Sequence, residues 1–228
     1  MSVATAKKNG EGHRARLRAR ILNDPYNTCS YELLELLLGY VHLRSDTKIL
    51  AKVLLEKYGS IRGLLASHPA ERHDIPGCGP ATETFLTLLR EIIARYFMET
   101  VKCKKSVTIG DIAQLGMARL AGLPHEEVWV ALLDNGNRLL TFERVNKGTV
   151  GQVLLSTRDA VEITLKYKAT GLIVLHNHPG GALRPSTLDT ENTFVLCQAL
   201  ETIGLRLIDH LILADGKCYS MMQEKLLG

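Results

Sequence analysis

The sequence predicts an α/β (α+β) protein in which helices flank a mixed central sheet, preceded by a small all-α domain. Three observations carry this expectation. From His13 to about Tyr96 the chain is mostly helical in pattern, with apolar residues recurring at helical spacing. The short basic stretch from Thr100 to Ser106 then separates this region from a half rich in β-forming runs. In that half Asn135-Gly136 joins two such runs, the strongest short-range hairpin signal, and later runs alternate with helical patterns. The expected division is therefore a flexible polar tail over 1–12, a helical domain over 13–102 and a mixed α/β domain over 103–228.

Taken in order, Glu32 to Leu38 is a strongly apolar helix that ends near Gly39. Lys48 to Tyr58 repeats apolar residues at helical spacing, and Gly59 is its stop. Ile61 to Ala66 and Ala70 to His73 are short helices, followed by the sharp turn Ile75-Pro76-Gly77-Cys78-Gly79-Pro80 and a long helix from about Ala81 to Tyr96. In the second half, Val128 to Asp134, Leu139 to Val145 and Val150 to Leu155 are strands, and Thr157 to Lys168 is a helix. Leu172 to Leu175 is a buried strand, Asp189 to Ile203 a helix stopped by Gly204, and Leu205 to Leu213 a further strand.

Composition narrows the class. Hydrophobic residues make up 46% and charged residues 23%, ordinary for a soluble globular protein. The formal net charge of +4 permits contact with a polyanion without demanding it. Lys7, Lys8, Arg14, Arg16, Arg18 and Arg20 cluster, either to touch phosphates or as a solvated helix start. The five cysteines form no CxxC pair and are odd in number, which argues against a disulfide framework or a cysteine zinc site and for a reducing compartment. No signal-peptide pattern and no apolar run of ~20 residues is present, so a cytoplasmic protein without membrane contact is expected.

The chemistry concentrates after the buried strand. Leu172–Leu175 runs into His176-Asn177-His178-Pro179. Alternate side chains of an extended chain share a face, so both imidazoles point one way, roughly 6–7 Å apart at Cα. They can converge on one ion at about 2.0–2.1 Å each. A Gly-rich loop then leads to Asp189, in the first turn of the next helix and able to look back at the strand end. Two His and one carboxylate leave the fourth zinc position to water. Ser186 and Asp189 equally fit a capping box, which needs no metal. For a proton acceptor the expectation is Glu143, on the second strand of the hairpin, although it also reads as a solvated residue beside Arg144. Ser186 is the candidate donor to an oxyanion.

These residues resemble a known family. HNHPGG, Ser186 and Asp189 resemble the JAMM metalloprotease motif of MPN-type domains. More closely, LLDNGNRLLTFERVNKGTV, TGLIVLHNHPGG, RPSTLD and LRLIDHLIL are similar to the RadC family over most of Val128 to Leu213. The resemblance implies a deaminase-like JAMM/MPN fold and one zinc per chain held by His176, His178 and Asp189. It also implies Glu143 as general acid/base and Ser186 as oxyanion stabiliser. The chain departs from the family pattern at Gly180, where Ser is usual, and at Thr157-Arg158-Asp159, where Pro-Arg-Glu is usual. Asp209-His210 matches the family's strand and reads as a buried structural pair or as partners that orient a ligand. Ile75 to Gly79 between two helices resembles a helix-hairpin-helix, whose turn offers backbone N–H groups to a nucleic-acid phosphate.

Two functions follow. One is a zinc-dependent hydrolase of peptide or isopeptide bonds in a peptide or protein substrate. The other is a DNA-associated repair or recombination accessory protein that contacts the nucleic-acid backbone through residues 13–102 and uses its metal domain for interaction. A nucleobase deaminase pairs H-x-E with PCxxC; here the residue after Asn177 is His178, and no PCxxC is present.

Overall fold

The computed structural model of the chain describes residues 3–147 and 155–224. It divides into two compact units between Thr87 and Leu88, inside a helix, whereas the sequence pattern puts the boundary near residue 102.

The first unit is helical. It contains α1 (Val3–Asn23), α2 (Ser30–Val41), α3 (Lys48–Tyr58), α4 (Ile61–Ala66), α5 (Pro69–Arg72) and the start of α6 (Pro80–Lys102). Helix α1 runs through residues 3–12, where the sequence pattern suggests a tail. Leu34, Leu38, Ala51, Leu54 and Leu64 form its buried apolar centre. Arg72 is 3% exposed, and its guanidinium donates to both oxygens of Glu83 at 2.9 and 2.6 Å and to the Ser67 carbonyl at 2.8 Å. This ties the turn over 73–79 between α5 and α6. Gly77 sits there at φ +96°, a backbone region open to glycine. Two arginines of the basic cluster serve the fold: Arg14 donates to the His42 carbonyl at 2.8 Å, and Arg20 pairs with Glu32.

The second unit holds one five-stranded mixed sheet in the order β2-β1-β3-β4-β5. Its strands are β1 (Glu127–Leu133), β2 (Leu139–Lys147), β3 (Gly171–Asn177), β4 (Arg206–Ala214) and β5 (Lys217–Ser220). Helix α7 (Ile109–Leu120) covers one face, with Ile112 and Leu115 against Ile173, Leu175 and Leu213. Helices α8 (Thr157–Lys166) and α9 (Thr187–Thr202) belong to the other, where Ala160, Leu196 and Leu200 meet Val130, Leu172 and Val174. All seven residues of β3 are buried, which explains why that strand is a continuous apolar run in the sequence.

The structure corrects several expectations. The hairpin loop spans Asp134–Arg138, and the residue with positive φ is Asn137, not Gly136. The Asp134 carboxylate accepts the N–H groups of Gly136 and Arg138 at 2.8 and 2.9 Å, so a side chain closes a wider loop than a two-residue turn. Helix α2 continues through Gly39, beside which the Arg14 side chain packs. The strand expected over Val150 to Leu155 falls almost wholly outside the described residues. Helix α7 and strand β5 are additions that the sequence pattern does not suggest.

Candidate metal centre

The buried end of β3 sets the site. Val128 of β1 pairs with His176, and Leu213 of β4 pairs with Asn177, so the strand carries neighbours on both sides as far as His176 and on the β4 side to its last residue. The His178 N–H donates to the Leu213 carbonyl at 2.9 Å, holding the chain extended one residue further. The two imidazoles thus share a face, with ring centroids 4.5 Å apart at right angles. The following loop turns back at Gly181, φ +80°.

Asp189 arrives from α9. Ser186 caps this helix, and Asp189 closes the capping box. The Asp189 carboxylate accepts the Ser186 N–H at 2.8 Å and its hydroxyl at 2.7 Å. Capping and convergence are therefore one arrangement: the cap aims the carboxylate at the strand end. It lies 3.3 Å from His176 Nδ1 and 3.5 Å from His178 Nε2.

The fourth group is Glu126, just ahead of β1. Its carboxylate is 3.8 Å from His176 Nε2. Donor atoms of Glu126, His176 and His178 lie within 4.8 Å of one another. Glu126 has no distinguishing local motif. Its place follows from the β1–β3 register, because it lies two residues before the partner of His176.

Glu143 is not brought to this site. It pairs with Val130, and strand order sets β1 between it and the histidines. Its carboxylate accepts the Tyr167 hydroxyl and, at 3.3 Å, that of Thr141. The acid opposite the histidines is Glu126 instead. Ser186 is at the site, exposed, with its hydroxyl turned to Asp189. Asp209 and His210 are both buried but are not joined side chain to side chain. Asp209 accepts the Ser220 hydroxyl at 2.6 Å and the Met222 N–H at 3.1 Å, tying the end of β5 and the residues after it to β4. His210 Nδ1 meets Thr193 Oγ1 at 2.6 Å, and its ring stacks 6.0 Å from that of His176.

The protonation states suit a cation. Burial pushes His176 down to about 4, with Asp189 opposing and His178 adding to the drop, so the ring is neutral at pH 7. Its Nε2 is buried and makes no hydrogen bond among the described residues. His178 Nδ1 meets the Ala182 carbonyl at 2.5 Å, and its contacts with Asp189 and with that carbonyl push the imidazole's pKa up against its burial. Burial alone would raise Asp189, but the His178 ring, the Ser186 groups and His176 outweigh it and hold the carboxyl well below its usual range. Zinc takes deprotonated donors, so an ionised Asp189 and a neutral His176 suit it, and His178 would give up the proton it shares with Asp189 on binding. The residues fit such an ion. A cleft of about 650 Å³ opens beside it, lined by Arg184, Ser186, Thr187, Thr190 and Tyr219 among others.

The profile of the RadC-like JAB domain matches residues 107–226. A UPF0758 protein of Fusobacterium nucleatum is 30% identical, over 97% of this chain and all of its own length. Another from Burkholderia cenocepacia is 31% identical over 94% of this chain and 84% of its own, and one from Methylibium petroleiphilum 34% over 94% and 96%. With its sheet, its converging histidines and this match over more than half its length, the chain belongs to the RadC-like JAB domain family.

Proposed function

We propose that the protein is a zinc-dependent hydrolase of peptide or isopeptide bonds. The observation that carries the reading is the convergence of His176, His178, Asp189 and Glu126 on the buried end of β3. These four groups allow two three-ligand sets. We assign His176, His178 and Asp189 as ligands, because Asp189 sits between both imidazoles and Ser186 fixes it. Bound there, zinc would supply Lewis acidity and lower the pKa of a coordinated water to about 7. Glu126 then acts as the general base, taking a proton at its carboxylate and returning it to the leaving amine. The Ser186 hydroxyl, at the rim of the cleft, turns its one proton from Asp189 to the developing oxyanion, while the Ser186 N–H keeps the carboxylate in place. Arg184 and Tyr219 border the space for the substrate chain.

Metal analysis of the purified protein tests the assignment. Wild type, Glu126→Gln and Glu143→Gln should each hold one zinc, while His176→Ala and Asp189→Ala hold little. Peptide-library cleavage should then be lost in Glu126→Gln and kept in Glu143→Gln. Full zinc occupancy in both ligand variants would end the reading, and loss of turnover only in Glu143→Gln would end the assignment of the base.

A further inference from the structure

We propose that Asn177, the residue between the two histidines, is a positioning residue that sets the backbone of Glu126 through its side-chain amide. Asn177 lies on the face opposite the histidines and is 4% exposed. Its Oδ1 accepts the Glu127 N–H at 2.8 Å, and its Nδ2 donates to the His125 carbonyl at 3.0 Å. Those are the two peptide groups that flank Glu126. A donor meets an acceptor at each end, which fixes how the amide faces. The β1–β3 ladder ends at Val128 and His176, and beyond it the amide of Asn177 takes the place of a strand backbone.

The segment is anchored on its other side as well. The Glu127 carboxylate, 4% exposed, accepts from Trp129 Nε1 at 2.7 Å, His125 Nε2 at 2.9 Å and Arg144 Nη1 at 3.2 Å. Burial pushes this carboxyl up, and these donors more than reverse it, so Glu127 stays ionised and bound. Clamped before and after, Glu126 has little freedom except in its own side chain, and that side chain leads to His176. The His-Asn-His order thus places two metal-facing rings and, between them, the group that holds the acid. This inference rests on the assignment of Glu126 as the base.

The test uses the full chain in two states. In the metal-free protein, hydrogen exchange of the Glu127 amide should be slow in wild type and at least about tenfold faster in Asn177→Ala, the loss of one buried hydrogen bond. In the cobalt(II)-loaded protein, the pH midpoint of the visible spectrum reports ionisation beside the metal. Glu126→Gln should lower that midpoint by roughly one pH unit, because a nearby anion has been removed. Asn177→Ala should bind one cobalt and move the midpoint in the same direction, and adding Glu126→Gln to it should give no further shift. Asn177→Asp, which keeps the acceptor and loses the donor, should fall between and covers the case in which the alanine variant does not fold. Asn177 variants with an unmoved midpoint, or a double variant whose shift is the sum of the two, would overturn the positioning role alone. An unmoved midpoint in Glu126→Gln would instead overturn the choice of base.

Discussion

Replacing Asp189 by alanine should separate two jobs that the structure gives to one carboxylate. The first is capping: the side chain accepts the Ser186 N–H and hydroxyl at the start of α9. Losing such a cap costs about 1 kcal/mol. In the metal-free protein that amounts to a fall in Tm of roughly 2–4 °C for a domain of this size. The second job is the approach to both imidazoles at 3.3 and 3.5 Å. A ligand present at 1,000 times its dissociation constant stabilises the folded state by about 4 kcal/mol. In excess zinc the wild type should therefore gain on the order of 10 °C, and Asp189→Ala should gain almost nothing. Ser186→Ala is the matched control, since it removes the reciprocal cap while leaving the carboxylate. It should show the same small metal-free loss and retain most of the zinc-dependent gain. The assay is thermal unfolding by circular dichroism, with chelator and with excess zinc. A zinc-dependent gain in Asp189→Ala equal to that of wild type would refute the ligand assignment, and an equal loss of gain in Ser186→Ala would refute the separation of roles.

Three further outcomes follow. The metal-free protein should be acid-sensitive: burial lowers His176 from 6.5 to about 4, so the unfolded chain takes up the proton first. Stability is then fully present above pH 6.5 and declines by on the order of 3 kcal/mol as pH falls to about 4, and urea titrations with chelator should show this decline shrink in His176→Gln. Gly116→Ala would set a methyl carbon 2.3 Å from Leu175 Cδ2 and 2.9 Å from Leu213 Cδ1, both buried, so overpacking of about 1–3 kcal/mol should outweigh the gain in helix propensity and lower the urea midpoint. An unchanged midpoint there would show that the α7–sheet contact yields freely. Duplex DNA should bind weakly and only at low salt, because Arg14 and Arg20 are already engaged and Asp74 and Glu83 line the 73–83 pocket; fluorescence anisotropy persisting at 200 mM salt would count against this.

Much of the fold is local, and so it is legible along the chain. The buried run of β3 and the Gly59 and Gly204 stops lie within a few residues of the elements they define. Helix α7 was missed: Thr108 and Asp111 form a capping box of the usual spacing, but its modest apolar face sits in a stretch without strong periodicity. Strand β5, four residues long, has no such signal and exists because Asp209 and Ser220 close it onto β4.

The sequence by itself determined the candidate ligands: His176 and His178 share a face because strand residues alternate, and Asp189 is set by the cap of the very next helix. The acid opposite them was decided only by tertiary structure. Glu143 and Glu126 both lie upstream near strands, and nothing local distinguishes them. What distinguishes them is the antiparallel pairing of β1 with β3, across which Asn177 reaches residues about fifty positions away. That register is chosen by which apolar side chains of Val128, Val130, Val174 and Leu172 must be buried together, a condition met only when the whole sheet closes its core.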